Sequence, residues 1–160
     1  MTEAARCATV GELMGPPPAP IHPDSELRIG VQALIDAGLV ALPVTDHAGR
    51  LVGLLDEDDL LVLAEDPHSV EQEAEITRFW PLGGGRHTVE HLRVIQAKRV
   101  SEVTRHHPPS VHVSARCEFA AEVMADHHSG MLPVVDDDGR LVGVLTRQAL
   151  IQAWWAGQLC

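Results

Sequence analysis

The feature that most constrains this chain is an internal repeat. Displaced by 90 residues, Ala41-Leu42-Pro43-Val44-Thr45-Asp46-His47-Ala48-Gly49-Arg50-Leu51-Val52-Gly53-Leu54-Leu55 falls on Met131-Leu132-Pro133-Val134-Val135-Asp136-Asp137-Asp138-Gly139-Arg140-Leu141-Val142-Gly143-Val144-Leu145. The register holds backwards without a gap. Val10 and Glu12 meet Val100 and Glu102, Pro18 meets Pro108, His22 meets His112, and Asp36 meets Asp126; forwards it runs to Leu60 on Leu150. A fixed period of this kind marks a duplicated supersecondary unit. One such unit of about fifty residues buries little surface and is marginal by itself, so two copies are expected to share a core.

The pattern in each copy reads β-α-β-β-α. In the first, the run Pro16-Pro17-Pro18-Ala19-Pro20 excludes helix and predicts extended chain, leading to a short strand at Ile21. Asp24 or Ser25 is placed to cap a helix over 26–37. Leu27, Val31, Leu34 and Ile35 form its apolar face, and Gly38 is the left-handed residue that ends it. Strands follow at 41–45 and 51–55, joined by Asp46-His47-Ala48-Gly49-Arg50, in which Gly49 supplies a positive φ. Asp56 then caps a helix ending near Asp66-Pro67. The second copy predicts a strand near 110–113, a helix over 115–127, strands at 131–135 and 141–145, and a helix from about 147; Cys117, Ala121, Met124 and Ala125 take the helix core positions. The organisation is thus 1–66 as first repeat with a loose tail over 1–9, 67–99 as a partly helical connector broken at Trp80-Pro81-Leu82-Gly83-Gly84-Gly85, and 100–160 as second repeat.

Charge and composition remove several function classes. Twelve basic against 23 acidic residues leave a net charge of −11, which disfavours nucleic acid and anionic membrane surfaces as partners. No apolar run is long enough to span a bilayer, and the N-terminus lacks a signal-peptide pattern. Cys7, Cys117 and Cys160 are scattered and odd in number, so neither a disulfide framework nor a Cys-x-x-Cys zinc site is expected. A cytoplasmic, thiol-reduced protein is the simplest expectation. With aromatics at 3%, the core has to be aliphatic.

The duplicated Leu-Pro-Val-x-Asp-x-x-Gly-Arg-Leu-Val-Gly-x-Leu motif, in its β-α-β-β-α setting, resembles the CBS domain, named after cystathionine β-synthase. The resemblance covers about 10–61 and 100–152. It implies a mixed α/β (α+β) fold in which two repeats pack as a pseudo-two-fold Bateman module, with two clefts between them. It also implies adenosine-containing ligands in those clefts (AMP, ATP or S-adenosylmethionine) and homodimers formed through the helices. With no catalytic, channel or transporter segment evident, the expectation is a stand-alone, non-catalytic regulatory pair requiring no cofactor.

Ligand-binding members close the third strand of the unit with Gly-x-x-Ser/Thr-x-x-Asp. The hydroxyl sits at a helix N-terminus, where free N–H groups welcome phosphate, and the Asp one turn on can accept both ribose hydroxyls. Neither copy here has the whole set. The first keeps Asp59 but puts Asp56 at the hydroxyl position, where a carboxylate satisfies the N–H groups itself and repels phosphate. The second keeps Thr146, with Arg147 beside it to meet phosphate, but has Ala149 in place of the Asp. Basic residues that often precede Leu-Pro-Val are replaced by Val40-Ala41 and Gly130-Met131. The candidate ligand set is therefore Asp56, Asp59, Ala41, Ile21, Met131, Thr146, Arg147 and Val111, with Asp59 suited to an adenosine of little negative charge and Ala41 or Met131 flanking its base.

Other features read more simply as structure. Asp56-Glu57-Asp58-Asp59 caps a helix and complements its dipole better than it holds a metal. Ten His residues, among them His22, His68, His87, His91, His106-His107, His112 and His127-His128, keep open a His-based zinc or nickel sensor. Gly83-Gly84-Gly85-Arg86 lacks the Lys-Ser/Thr of a phosphate loop. Cys117 falls on a helix core position and lacks a base, and no activated nucleophile is evident, so no catalytic residues are expected. Trp154 and Trp155 cannot both face one core, which leaves one for a packing or dimer contact. Three readings stand: an adenosyl-ligand sensor, a protein-interaction scaffold with degenerate clefts, and a His-based metal sensor.

Overall fold

A computed structural model describes residues 8–62 and 98–159. In chain order the elements are α1 (Val10–Leu13), α2 (Leu27–Ala37), β1 (Ala41–Thr45), β2 (Leu51–Asp56), α3 (Glu57–Val62), β3 (Arg105–His106), β4 (Val111–His112), α4 (Cys117–Asp126), β5 (Met131–Val135), β6 (Leu141–Thr146) and α5 (Arg147–Trp155), with a 3-10 turn at Val100–Glu102 before β3. They make two three-stranded sheets, β1-β2-β3 and β4-β5-β6. The hairpins β1-β2 and β5-β6 have the same register, Pro43 opposite Leu54 and Pro133 opposite Val144, and both shift at the end of their first strand. The α/β class and the paired β-α-β-β-α units are as expected. The first strand of each unit is shorter: Val111–His112 pairs in parallel with Val134–Val135, and Ile21 makes only a single parallel bridge to Val44.

The two units exchange their opening segments. Ala8 and Val10 are buried in the core of the second repeat, beside Leu132, Val134 and Leu145, while Val100 is buried in the core of the first, beside Leu42, Val44 and Leu55. The hydrogen bonds repeat under the same 90-residue shift. Val10 N–H donates to Ala115 O at 2.8 Å and Val100 N–H to Ser25 O at 2.9 Å; Gly11 N–H donates to Val113 O at 2.8 Å and Ser101 N–H to Pro23 O at 2.9 Å. Each segment is closed by its own glutamate, Glu12 Oε2 accepting from Thr9 N–H at 2.8 Å and Glu102 Oε1 from Arg99 N–H at 2.9 Å. The unit of sequence repetition and the unit of packing therefore differ. Residues 1–7 lie outside the described residues, but Ala8 and Thr9 are not a loose tail: Ala8 is buried and Thr9 bridges Arg116.

This exchange changes two details expected of the helices. Asp24 and Ser25 do not cap α2; the N-cap is Glu26, with no side-chain bond, because Lys98 O of the exchanged segment accepts Leu27 N–H at 2.8 Å. At α4 the same service comes from Ala8 O to Cys117 N–H at 3.2 Å. The buried faces are Leu27, Gly30 and Leu34 in α2, and Cys117, Ala120 and Met124 in α4; Ile35 and Ala125 are exposed, and Val31 and Ala121 only line the cores. Gly30 faces inward because a Cβ there would lie 2.9 Å from Leu55 Cδ2 and 3.2 Å from Val100 Cγ2. Gly38 ends α2 at φ 61, and Gly49 takes φ 78 in the hairpin turn.

A third cluster joins the sheets. Ala41, Leu54, Met131 and Val144 are buried against one another, two residues from each repeat at equivalent positions. The pseudo-two-fold axis passes between Arg50 and Arg140, which form an antiparallel bridge: Leu51 N–H donates to Gly139 O and Leu141 N–H to Gly49 O, both at 3.0 Å. Burying a side chain such as Leu54 contributes roughly 1.5–3 kcal/mol, so this apolar seam and the exchanged valines tie the halves into one folding unit. The connector helices and the end of the helix expected near Asp66-Pro67 lie outside the described residues. Among those described, no helix is long and apolar enough to cross a membrane.

Candidate functional site

The polar candidates sit in two places, Asp56 and Asp59 where β2 runs into α3, and Thr146 and Arg147 where β6 runs into α5. Glu57 N–H bonds Val40 O at 3.1 Å and Arg147 N–H bonds Gly130 O at 2.9 Å, which docks each helix start beside the residues preceding Leu-Pro-Val. At the first helix, Asp56 Oδ1 accepts from Asp58 N–H at 3.0 Å, using the carboxylate as a cap. At the second, Thr146 Oγ1 accepts from Ala149 N–H at 3.2 Å, which leaves its hydroxyl proton free to donate. Arg147 Nη2 donates to Ser129 O at 3.0 Å and lies across the groove between α4 and α5.

Asp59 stands apart chemically. One oxygen, Oδ1, is 3.3 Å from Arg105 Nη2, and the side chains are 30% and 46% exposed. The other, Oδ2, is shielded from solvent and has no hydrogen-bond partner among the described residues. Buried carboxylate oxygens are normally satisfied, so this is an acceptor lacking a donor. Arg105 arrives on β3, the exchanged strand, which pairs with Gly53 and Leu54. Sequence reasoning missed it: its repeat equivalent is Gly15, so periodicity carries no signal for it.

The apolar members of the candidate set sit deeper than expected. Ala41 and Met131 are each 1% exposed and belong to the seam between the sheets, and Ile21 and Val111 lie in the first and second cores. All four are buried and offer no open face to a base. The adjacent His22 and His112 are half-buried instead. His22 stacks on His47 with centroids 3.9 Å apart, while His112 Nε2 meets Asp137 Oδ1 at 2.9 Å, the same two repeat positions with different partners. His128, one of the metal candidates, has a backbone role: it takes φ 51 where the first repeat has Gly38. Among the described residues, no three His, Cys, Asp or Glu side chains are grouped to hold a metal ion; His68, His87 and His91 lie outside them. Cys117 is fully buried, and burial, followed by the charges of Glu118 and Glu12, pushes its thiol up to about 11, the opposite of nucleophile activation.

An open apolar groove of about 480 Å³ lies between α4 and α5, lined by Met124, Leu150, Ile151 and Trp154 among others. Ile151, Trp154 and Trp155 are exposed beside it.

The comparisons with known proteins agree with this architecture. The CBS domain family matches twice, over residues 10–66 and 100–156. A CBS domain-containing protein of Arabidopsis thaliana, CBSX2, is 29% identical over 151 residues, covering 91% of this chain and 63% of that protein's length. The crystal structure of CBSX2 superposes with a TM-score of 0.75 at 26% identity, covering 94% of this chain and 96% of that one. CBSX2 in complex with AMP superposes at 0.68 with 27% identity, covering 92% and 96%. With two matched copies, a shared two-sheet architecture and the helix starts described above, this chain belongs to the CBS domain family, as a tandem pair of the Bateman type.

Proposed function

We propose that the chain is a non-catalytic regulatory module that takes an adenosine-containing ligand at the first cleft, with Asp59 as the ribose acceptor. The observation that carries the reading is the unpartnered Asp59 Oδ2 one turn into the helix after β2. A ribose diol supplies the donors that oxygen lacks. Membership of the family and the AMP complex of CBSX2 support the ligand class. Asp56 disfavours phosphate directly at the α3 start, and Ala149 leaves the second cleft without a ribose acceptor, so a single ligand per chain is expected. Regulation then requires the ligand to prefer one arrangement of the pair over another. The pair is proposed to act as a homodimer, its exposed Ile151, Trp154 and Trp155 meeting a second copy; sedimentation of wild type against Trp154→Glu tests this by loss of the dimer.

Thermal melting with AMP, ADP, ATP, adenosine, S-adenosylmethionine, Zn²⁺ and Ni²⁺ tests the ligand reading. A ligand at 100 times Kd adds about 2.7 kcal/mol of stability. Asp59→Ala should abolish the shift while preserving the fold. If no adenosyl compound raises the melting temperature at millimolar concentration, the sensor reading fails. The scaffold reading then gains, since Asp56 and Ala149 already depart from the ligand-binding pattern; a shift with the metal ions alone would favour the His-based sensor.

A further inference from the structure

We infer that Arg105 sets the charge preference of the Asp59 site, making it selective for a nucleoside 5′-phosphate over an uncharged adenosyl compound. This rests on the ribose role proposed for Asp59 and revises the expectation of a ligand with little negative charge. The guanidinium lies 3.3 Å from Asp59 Oδ1 while Oδ2 has no partner among the described residues, so a diol that reaches Oδ2 with one hydroxyl meets the Arg105 contact with the other. A diol that bonds Asp59 must displace or share the Arg105 contact. The guanidinium is then left beside the bound sugar without its counter-ion. A phosphate re-pairs it, in the two-point geometry that arginine offers to phosphate oxygens. An uncharged nucleoside does not.

The scaffold does not need this pair. The second repeat folds with the same strand pairing, Gly15 bridging Val144 where Arg105 pairs with Leu54, yet it has Gly15 and Ala149 at the two positions. An ion pair this exposed also adds little to stability. Arg105 further answers the absence of basic residues at Val40-Ala41. The cation reaches the cleft from the exchanged strand instead of from the residues before Leu-Pro-Val.

The test is calorimetric titration of the full chain with AMP and with adenosine, for wild type, Arg105→Gln and Arg105→Lys. Wild type should bind AMP about tenfold or more tightly than adenosine, the equivalent of one charge-assisted bond. Arg105→Gln should lose that preference, weakening AMP by about tenfold while leaving adenosine equal or tighter, and Arg105→Lys should keep part of it. Circular dichroism and the unliganded melting temperature establish that the variants fold. If wild type binds both compounds and Arg105→Gln leaves their affinity ratio unchanged, the role of Arg105 is refuted and the Asp59 reading survives. If wild type binds neither, both fall together.

Discussion

Asp59 and Ala149 occupy the same place in the two repeats, and so do Arg105 and Gly15 on the strands that cross to meet them. Around these positions the halves are nearly superimposable in their bonding: the glutamate closures, the exchanged amides and the hairpin registers all recur at equivalent residues. The residues that build the module thus match between the copies, while the proposed ligand residues do not. A duplicated scaffold needs two matching halves, because each opening segment completes the other's core. A ligand site needs only one cleft to work, and the other is free to drift. If this comparison is right, substitutions at paired scaffold positions should damage the whole module, and the size of each effect should follow what the two copies differ in locally.

The largest expected effect is in the seam between the sheets. Met131 is buried at the position of Ala41, so the second repeat supplies most of the volume there. Met131→Ala should cost about 2–5 kcal/mol through the cavity it leaves, read as a fall in the urea midpoint with an unchanged slope. A loss below about 1 kcal/mol would mean that the seam collapses to fill the gap and that the halves are less rigidly joined than described.

Next are the glycines of the Leu-Val-Gly motif. Gly53 and Gly143 are where the exchanged segments press on the sheets. A Cβ at Gly143 would lie 2.7 Å from Gly15 O, a backbone atom, and 2.5 Å from Met14 Sδ; at Gly53 the nearest group is the Thr104 methyl, with Arg105 O at 3.3 Å. Overpacking of this kind costs roughly 1–3 kcal/mol. Gly143→Ala should be the more damaging of the two, because the Gly15 carbonyl is backbone, whereas Thr104 can turn its methyl aside at the cost of its hydroxyl bond to Val100 O. Equal losses in chemical denaturation would show that the two exchanges are held equally tightly.

A smaller difference runs the other way. The left-handed residue after the helix is Gly38 in the first repeat and His128 in the second, at φ 61 and φ 51. A left-handed conformation costs a non-glycine residue about 1–2 kcal/mol, part of which glycine returns as unfolded-state entropy. His128→Gly is therefore expected to raise stability by up to about 1 kcal/mol and Gly38→His to lower it by a similar amount, measured by thermal melting. A destabilised His128→Gly would mean that the imidazole makes a contact worth more than the strain.

Much of this molecule was legible in its sequence, and the parts that were not have identifiable causes. Gly38 and Gly49 announced a helix end and a turn, since only a residue free of Cβ crowding takes those angles cheaply. The exchange was invisible because Val10 and Val100 repeat exactly as they would if each packed on its own copy; symmetry makes the two connections indistinguishable by pattern. That one ambiguity misplaced the cap of α2, whose first amide is satisfied by Lys98 O, and the helix faces, where Gly30 turns inward to admit Val100. For the proposed site, motif spacing points to Asp59. It does not point to Arg105, which enters through the exchanged strand and has no counterpart in the other copy.

The finest test uses the hairpin turn. Asp46 Oδ1 accepts from Arg50 N–H and Ala48 N–H, both at 2.9 Å. The Arg50 N–H bond, followed by the Ala48 N–H bond and the charges of Arg50 and His47, outweighs a smaller opposing effect of burial and holds the carboxyl below its ordinary 3.8. A folded value depressed below the unfolded one adds stability that is complete above the unfolded pKa and drains away as pH falls through the folded value. Asp46→Asn keeps an oxygen acceptor for the turn but cannot titrate. The variant should therefore melt slightly below wild type at neutral pH, and the gap should close as the pH is taken from 6 towards 2, most steeply below 3.8. Parallel melting curves across that range would show that the Asp46 charge contributes nothing to folding. The turn would then be held by acceptor geometry alone, which the equivalent Asp136 provides equally, with bonds from Asp138 N–H and Arg140 N–H at 2.9 Å.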